Sequence, residues 1–186
     1  MKQESLTRYV LRITFVLLAI SIVVAGLLAV VNRITEPAIA AANEKKTQEA
    51  IAQVLPGGYD EEITKFADST GLVSKVYKGE NGYAVEVNPI GFDNTITMMV
   101  GVDKEGKVLG ISIVSHTESA GLGAVAAGNN AKGEAFRGQF VGVSGQVSVS
   151  KDGGQIDAIT NATITSRAVC AGVNAALDCV AGLGGA

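Results

Sequence analysis

The stretch Asp157-Ala-Ile-Thr160-Asn161-Ala162-Thr163-Ile-Thr165-Ser166 gathers three threonines, a serine, an asparagine and an aspartate into ten residues, just ahead of an apolar helical pattern. One use for such a cluster is acceptor chemistry. A hydroxyl that takes a phosphoryl group needs an accessible loop, an unhindered neighbour and donors for the phosphate. Thr163 meets these needs, with Ala162 as the small neighbour. Ser166 is the expected N-cap of a helix carrying Val169, Cys170, Val173, Leu177 and Val180, so a phosphate on Thr163 would lie near free amides at a positive helix end. The other use is structural, because the same residue types are favoured in polar turns that cap helices. The segment alone weighs these two uses evenly. Asn161-Ala-Thr163 also fits the Asn-x-Thr glycosylation pattern, which accounts for none of the flanking residues.

A second block, His116-Thr117-Glu118-Ser-Ala-Gly121-Leu122-Gly123, holds the chain's single histidine. Gly121 and Gly123 would let the backbone approach a flat ring closely, Thr117 or Glu118 would hydrogen-bond to it, and Leu122 would supply an apolar face. The alternative is a solvated glycine-rich loop in which His116 and Glu118 pair. Gly121-Leu-Gly123 lacks the third glycine of a dinucleotide fingerprint, which removes a Rossmann reading. Cys170 and Cys179, nine positions apart on one helix, point to roughly opposite faces and cannot bridge, so they are expected as small buried apolar residues. Two cysteines and one histidine are too few for an iron–sulfur cluster, a zinc site or haem, and no nucleophile–base set suggests hydrolysis.

The elements that must position these residues begin with a membrane anchor. Residues 13–31 are uncharged and long enough to cross a hydrocarbon core of about 30 Å as a helix. A cleaved signal peptide has an apolar region of only about 7 to 15 residues, so a retained single-pass anchor is expected. Lys2, Arg8 and Arg12 precede this span and Arg33 follows it, which predicts a cytoplasmic N-terminus and a domain across the cell inner or plasma membrane. Beyond Glu36 the chain carries eleven basic and sixteen acidic residues, a balance that argues against nucleic-acid binding. Pro37 is expected in the first turn of a stalk helix that ends before Pro56-Gly57-Gly58.

From Leu72 the pattern becomes β-like, with expected strands at 72–77, 83–87, 95–102 and 108–114, a hairpin turn at Asp103-Lys-Glu-Gly106, and a shorter strand at 141–149 among glycine-rich loops. With a terminal helix from about Ser166, the fold class is α+β: a transmembrane helix, a stalk helix, then an antiparallel-sheet domain closed by a C-terminal helix. The expected boundaries are 1–12 for the cytoplasmic N-terminus, 13–31 for the anchor, 32–56 for the stalk and 57–186 for the extracytoplasmic domain.

Asp157-x-x-Thr160-Asn161-Ala162-Thr163 resembles the Asp-x-x-Ser/Thr-Gly-Ala-Thr signature of FMN-binding domains, in which the last threonine carries FMN through a phosphoester. Gly91-Phe92, Ile96-Thr-Met-Met-Val-Gly101-Val-Asp103, Gly110-Ile-Ser-Ile and His116 to Gly123 look like successive blocks of the G subunit of the Rnf electron-transport complex, in that family's order. The related C subunit of the sodium-translocating NADH:quinone reductase shares this kind of domain and is the alternative assignment. A cofactor-free, membrane-tethered assembly module is a further one.

The resemblance implies covalent FMN on Thr163, with Asp157, Thr160 and Asn161 shaping the loop and recognised by a flavin transferase. It further implies phosphate contacts from Thr165 and Ser166, and a flavin-lining loop at His116–Gly123. The chain would then relay electrons, alongside the other Rnf subunits, in a membrane complex coupling ferredoxin and NAD oxidoreduction to ion translocation. Two positions depart from the pattern. Asn161 stands where glycine is usual and is the residue after glycine that best tolerates left-handed backbone, while Ser119-Ala120 stands for a common Thr-Pro.

Overall fold

A computed structural model of the chain describes the backbone of residues 2–184 and the side chains of residues 8–184. The side chain of Lys2, part of the basic flank, and residues 185–186 of the expected domain lie outside the described residues. The chain divides into two compact units, Met1–Lys45 and Lys46–Ala186.

The described residues of the first unit are helical throughout and belong to α1, which runs unbroken over Lys2–Val54. Its apolar portion, near the N-terminus, is long and apolar enough to cross a membrane. Leu17, Leu18, Ile22, Val23 and Leu27 there are all exposed, the arrangement of a helix whose apolar surface meets something other than its own chain. The expected second helix opening at Pro37 does not exist as a separate element, because Pro37 lies inside α1. Proline removes one backbone donor from the ladder, and the alanines, glutamate and lysines that follow it are strong helix formers that carry the helix past it.

The second unit is built on five strands, β1 (Glu61–Ile63), β2 (Val73–Gly79), β3 (Gly82–Val87), β4 (Thr97–Asp103) and β5 (Val108–Ser115), paired antiparallel in simple sequence order. Short turns fix the register. Gly79 faces Gly82 across the β2–β3 hairpin. Between β4 and β5, the Asp103 carboxylate accepts from the Glu105 and Lys107 amides at 2.8 Å each, and Gly106 takes φ 76° as a turn of this kind requires.

Strand alternation gives the sheet two covered faces. Val76, Val85, Val87, Met98, Val100 and Val102 join Val169, Val173, Ala176 and Val180 of α3 (Thr163–Gly182) in the main core. Gly172 permits the close approach, since a Cβ there would sit 3.1 Å from Met98, Pro89 and Val87 side-chain atoms. On the other face Tyr77, Ala84 and Met99 pack against Ala50, Ile51, Val54 and Leu55 at the end of α1. Gly101 allows that contact, because a Cβ would meet the Val54 carbonyl oxygen at 2.0 Å. The helix stops there as expected, with Gly57 and Gly58 at φ 101° and 75°.

Between β5 and α3 come a 3-10 turn at Gly123–Ala127, α2 (Ala131–Gly138) and a second 3-10 turn at Ser150–Asp152. The expected strand at 141–149 is absent; only isolated bridges occur there, Lys107 with Ser144 and Val149 with Ile156. Gly142 and Gly145 take φ 79° and 71°, which breaks the extended run, while Val147 and Val149 are buried in the main core without a ladder.

Candidate functional site

The hydroxyl-rich segment folds as a tight turn feeding α3. Ala162 N–H donates to the Ile159 carbonyl at 2.9 Å, with Thr160 and Asn161 at the turn's exposed tip. Asn161 has φ 61°, the one positive φ among described non-glycine residues, so it occupies the left-handed position that its substitution for glycine anticipates. α3 begins at Thr163 rather than near Ser166, and its N-cap is Ala162, which makes no side-chain cap. Ser166 takes another role. Its buried hydroxyl accepts from Ile159 N–H and donates to the Ala162 carbonyl, both at 3.0 Å, and so clamps the two ends of the turn. The segment is also pinned upstream, where Asp157 N–H donates to Gln139 Oε1 at 2.7 Å and Gln139 Nε2 donates back to the Asp157 carbonyl.

Glu118 is buried, and its carboxylate joins three segments. Oε1 accepts from Phe92 N–H at 2.8 Å and from Asp93 N–H at 3.2 Å, while Oε2 accepts from the Thr165 hydroxyl. Gly91 and Gly123 make room for it, since a Cβ at either position would come within 2.3 Å of a carboxylate oxygen. Thus Glu118 ties the 91–93 loop to the first turn of α3, with Gly123 packed against its carboxylate, and the alternative pairing with His116 does not form. Burying a carboxylate is tolerated here because donors meet both oxygens.

Between these parts lies a cleft of about 330 Å³. It brings together Glu118, Leu122, Gly123, Asn161, Ala162, Thr163 and Thr165 from the sequence-derived set, and adds Phe92, Ser119, Ile164 and Lys151. Phe92, Leu122 and Ile164 leave large apolar surfaces exposed at its edge. His116, Thr117, Gly121, Asp157, Thr160 and Ser166 do not line it. His116 is half-buried, with Nδ1 enclosed and lacking a hydrogen-bond partner. The hydroxyls of Thr165 and Ser166 are buried, and each donates to an acceptor inside the protein, the Glu118 carboxylate and the Ala162 carbonyl.

Lys151 is the residue that sequence reasoning missed. It sits in the Ser150–Asp152 turn, and its Nζ lies 3.2 Å from Thr163 Oγ1. The preceding glycine-rich run gave no periodic signal to set it apart from other surface lysines. Next to it, Asp152 receives two hydrogen bonds from Arg167, Nε at 2.7 Å and the terminal nitrogen at 2.6 Å. These bonds hold the Asp152 carboxyl below its usual range and raise Arg167. The cysteines are apart from this chemistry. Burial pushes the Cys170 and Cys179 thiols up to about 11, which leaves them protonated and unreactive near neutrality. No group of three or more metal-ligating side chains occurs among the described residues.

Comparison with known proteins follows the same outline. A family profile described as an FMN-binding domain matches residues 91–178, from the Gly91 loop through most of α3. A second, described as the RnfG N-terminal region, matches residues 1–54, the span of α1. The G subunit of the ion-translocating oxidoreductase complex of Methanosarcina acetivorans is 31% identical over 185 residues, covering 94% of this chain and 96% of that one. The G subunit of the Na+-translocating ferredoxin:NAD+ oxidoreductase complex of Acetobacterium woodii is 31% identical, covering 92% and 91%. Its counterpart in the proton-translocating complex of Clostridium ljungdahlii is 36% identical, covering 87% and 86%. With likeness of this extent running through helix, sheet and cleft alike, the chain belongs to the family of G subunits of Rnf-type ion-translocating oxidoreductase complexes.

Proposed function

We propose that this chain is the flavin-bearing electron carrier of a membrane-bound, ion-translocating ferredoxin:NAD oxidoreductase complex, with FMN joined by a phosphoester to Thr163. The observation that carries this reading is the position of the Thr163 hydroxyl. It stands at the first residue of α3, partly exposed on the cleft, beside a lysine ammonium, in a region matched by the FMN-binding profile. The first-turn amides of α3 have no intrahelical acceptor, and a helix N-terminus of this kind favours an anion beside it.

The cleft fits such a group. Phe92, Leu122 and Ile164 supply apolar surface for a flat ring, and Gly123 lets backbone approach it. FMN, when bound, takes electrons singly or in pairs and so can link carriers of either kind. The chain's own part is to hold it. Attachment by a flavin transferase breaks the phosphoanhydride of FAD, forms a phosphorus–oxygen bond at Thr163 Oγ1, releases AMP and passes the hydroxyl proton to the transferase. Thr160 and Asn161, exposed at the tip of the turn, are the residues such a transferase would read. The Ser166 clamp and the Gln139 pairing keep the turn in one shape for it.

In this reading α1 anchors the domain with the N-terminus cytoplasmic and the flavin across the membrane, where a covalent bond prevents loss of the cofactor. The other subunits of the complex and the lipid bilayer are its partners. A Thr163→Ala variant of the full chain, purified from membranes, is expected to carry no flavin after denaturation. Stoichiometric flavin retained in that variant would refute the attachment.

A further inference from the structure

We propose that Lys151 is the counter-ion for the phosphate at Thr163, and that the Asp152–Arg167 pair is the staple that positions it. The proposal rests on Thr163 being the flavin acceptor.

Lys151 is the one basic residue among the described residues that line the cleft, and its Nζ reaches the Thr163 hydroxyl at 3.2 Å. The lysine stands on a turn of only three residues, Ser150–Asp152, closed by Gly153 at φ 82°. Backbone hydrogen bonds close the turn on itself, and a side-chain tie links it to α3. Arg167 supplies it, gripping Asp152 through two nitrogens. Because Arg167 lies four residues after Thr163 in α3, it projects from the same face of the helix as the acceptor. The staple therefore references the lysine to the residue whose phosphate it would meet. It also gives each Asp152 oxygen a guanidinium donor, so the hydrogen-bonded cation of that carboxylate is Arg167. A phosphodiester keeps one negative charge at all physiological pH, and an ammonium, acting as a point charge, tolerates the varied geometry of an exposed loop.

The test compares loading of the full chain, purified in detergent from cells lacking the transferase, on adding purified flavin transferase and FAD, with adduct followed by intact mass. Lys151→Gln is expected to load about threefold to tenfold more slowly, the range for losing one charge-assisted contact at an exposed site. Lys151→Arg should restore most of the rate. Arg167→Gln should fall between them. The gap between wild type and Lys151→Gln should close in high salt, as an ionic contact requires and a packing role does not. A second readout is the phosphorus resonance of the loaded protein, which should shift in Lys151→Gln. Equal loading rates at low salt with an unshifted resonance would overturn the proposal while leaving Thr163 in place. A wild-type chain that never gains the adduct would overturn both.

Discussion

In α3, residues 163–166 and 169–180 share one helix but differ in what they bury. The later run places Val169, Val173, Ala176 and Val180 at or near zero exposure against the sheet, with no polar side chain among its buried residues except the inert thiols. The first turn buries Thr165 and Ser166, and answers them with a carboxylate, a backbone carbonyl and an amide. Apolar burial stabilises without direction, whereas hydrogen bonds fix angles. The difference teaches where the fold obtains its stability and where it obtains a defined position for one hydroxyl.

That contrast predicts separable mutational effects. Met98→Ala, which opens a cavity under Gly172, is expected to cost about 2–5 kcal/mol of domain stability. Flavin attachment in the folded fraction should be unchanged, as read by urea unfolding and adduct mass on the same detergent-solubilised sample. Glu118→Ala should cost less, about 1–3 kcal/mol, by leaving the Phe92 and Asp93 amides and the Thr165 hydroxyl without their acceptor. Its effect on attachment should exceed that of Met98→Ala, because it frees the 91–93 loop from the first turn. Attachment equally affected by both variants would erase the distinction between the two parts of the helix.

Smaller effects sharpen it. Asn161→Val places a β-branched residue at φ 61° and is expected to cost about 1–2 kcal/mol, while Asn161→Gly should stay within about 0.5 kcal/mol of wild type. Smallest is the acid dependence of the staple. Asp152 has its carboxyl held low in the folded protein by Arg167, so its contribution is present above the unfolded value of about 4. It fades as pH falls through the lower folded value, and the melting temperatures of wild type and Asp152→Asn should converge in acid.

Much of this was legible in the sequence because the signals were local. Short runs of branched and aromatic residues marked β2 to β5 within a few residues, and Asp103 with Gly106 marked their best turn. The left-handed Asn161 followed from its place in the signature. What escaped depended on tertiary context. β1 is three residues with little apolar content, held by pairing with β2. The apolar run at 141–149 looked like a strand because valines are buried there, yet its glycines turn the chain away from any ladder. Ser166 looked like an N-cap by residue type, but the helix starts earlier because Ser166 can clamp the turn from inside the first turn of α3. Lys151 could be found only by folding the Ser150–Asp152 turn onto α3.

The central claim, that the first turn of α3 exists to present the Thr163 hydroxyl for flavin attachment, is tested most directly by mass. The full chain should be purified from its own membranes, weighed intact, digested, and its peptides sequenced by fragmentation. The account predicts a gain of one FMN phosphoryl adduct, mapped to Thr163, with flavin fluorescence surviving denaturation. An unmodified chain, dark after denaturation, or an adduct on a different residue would contradict it.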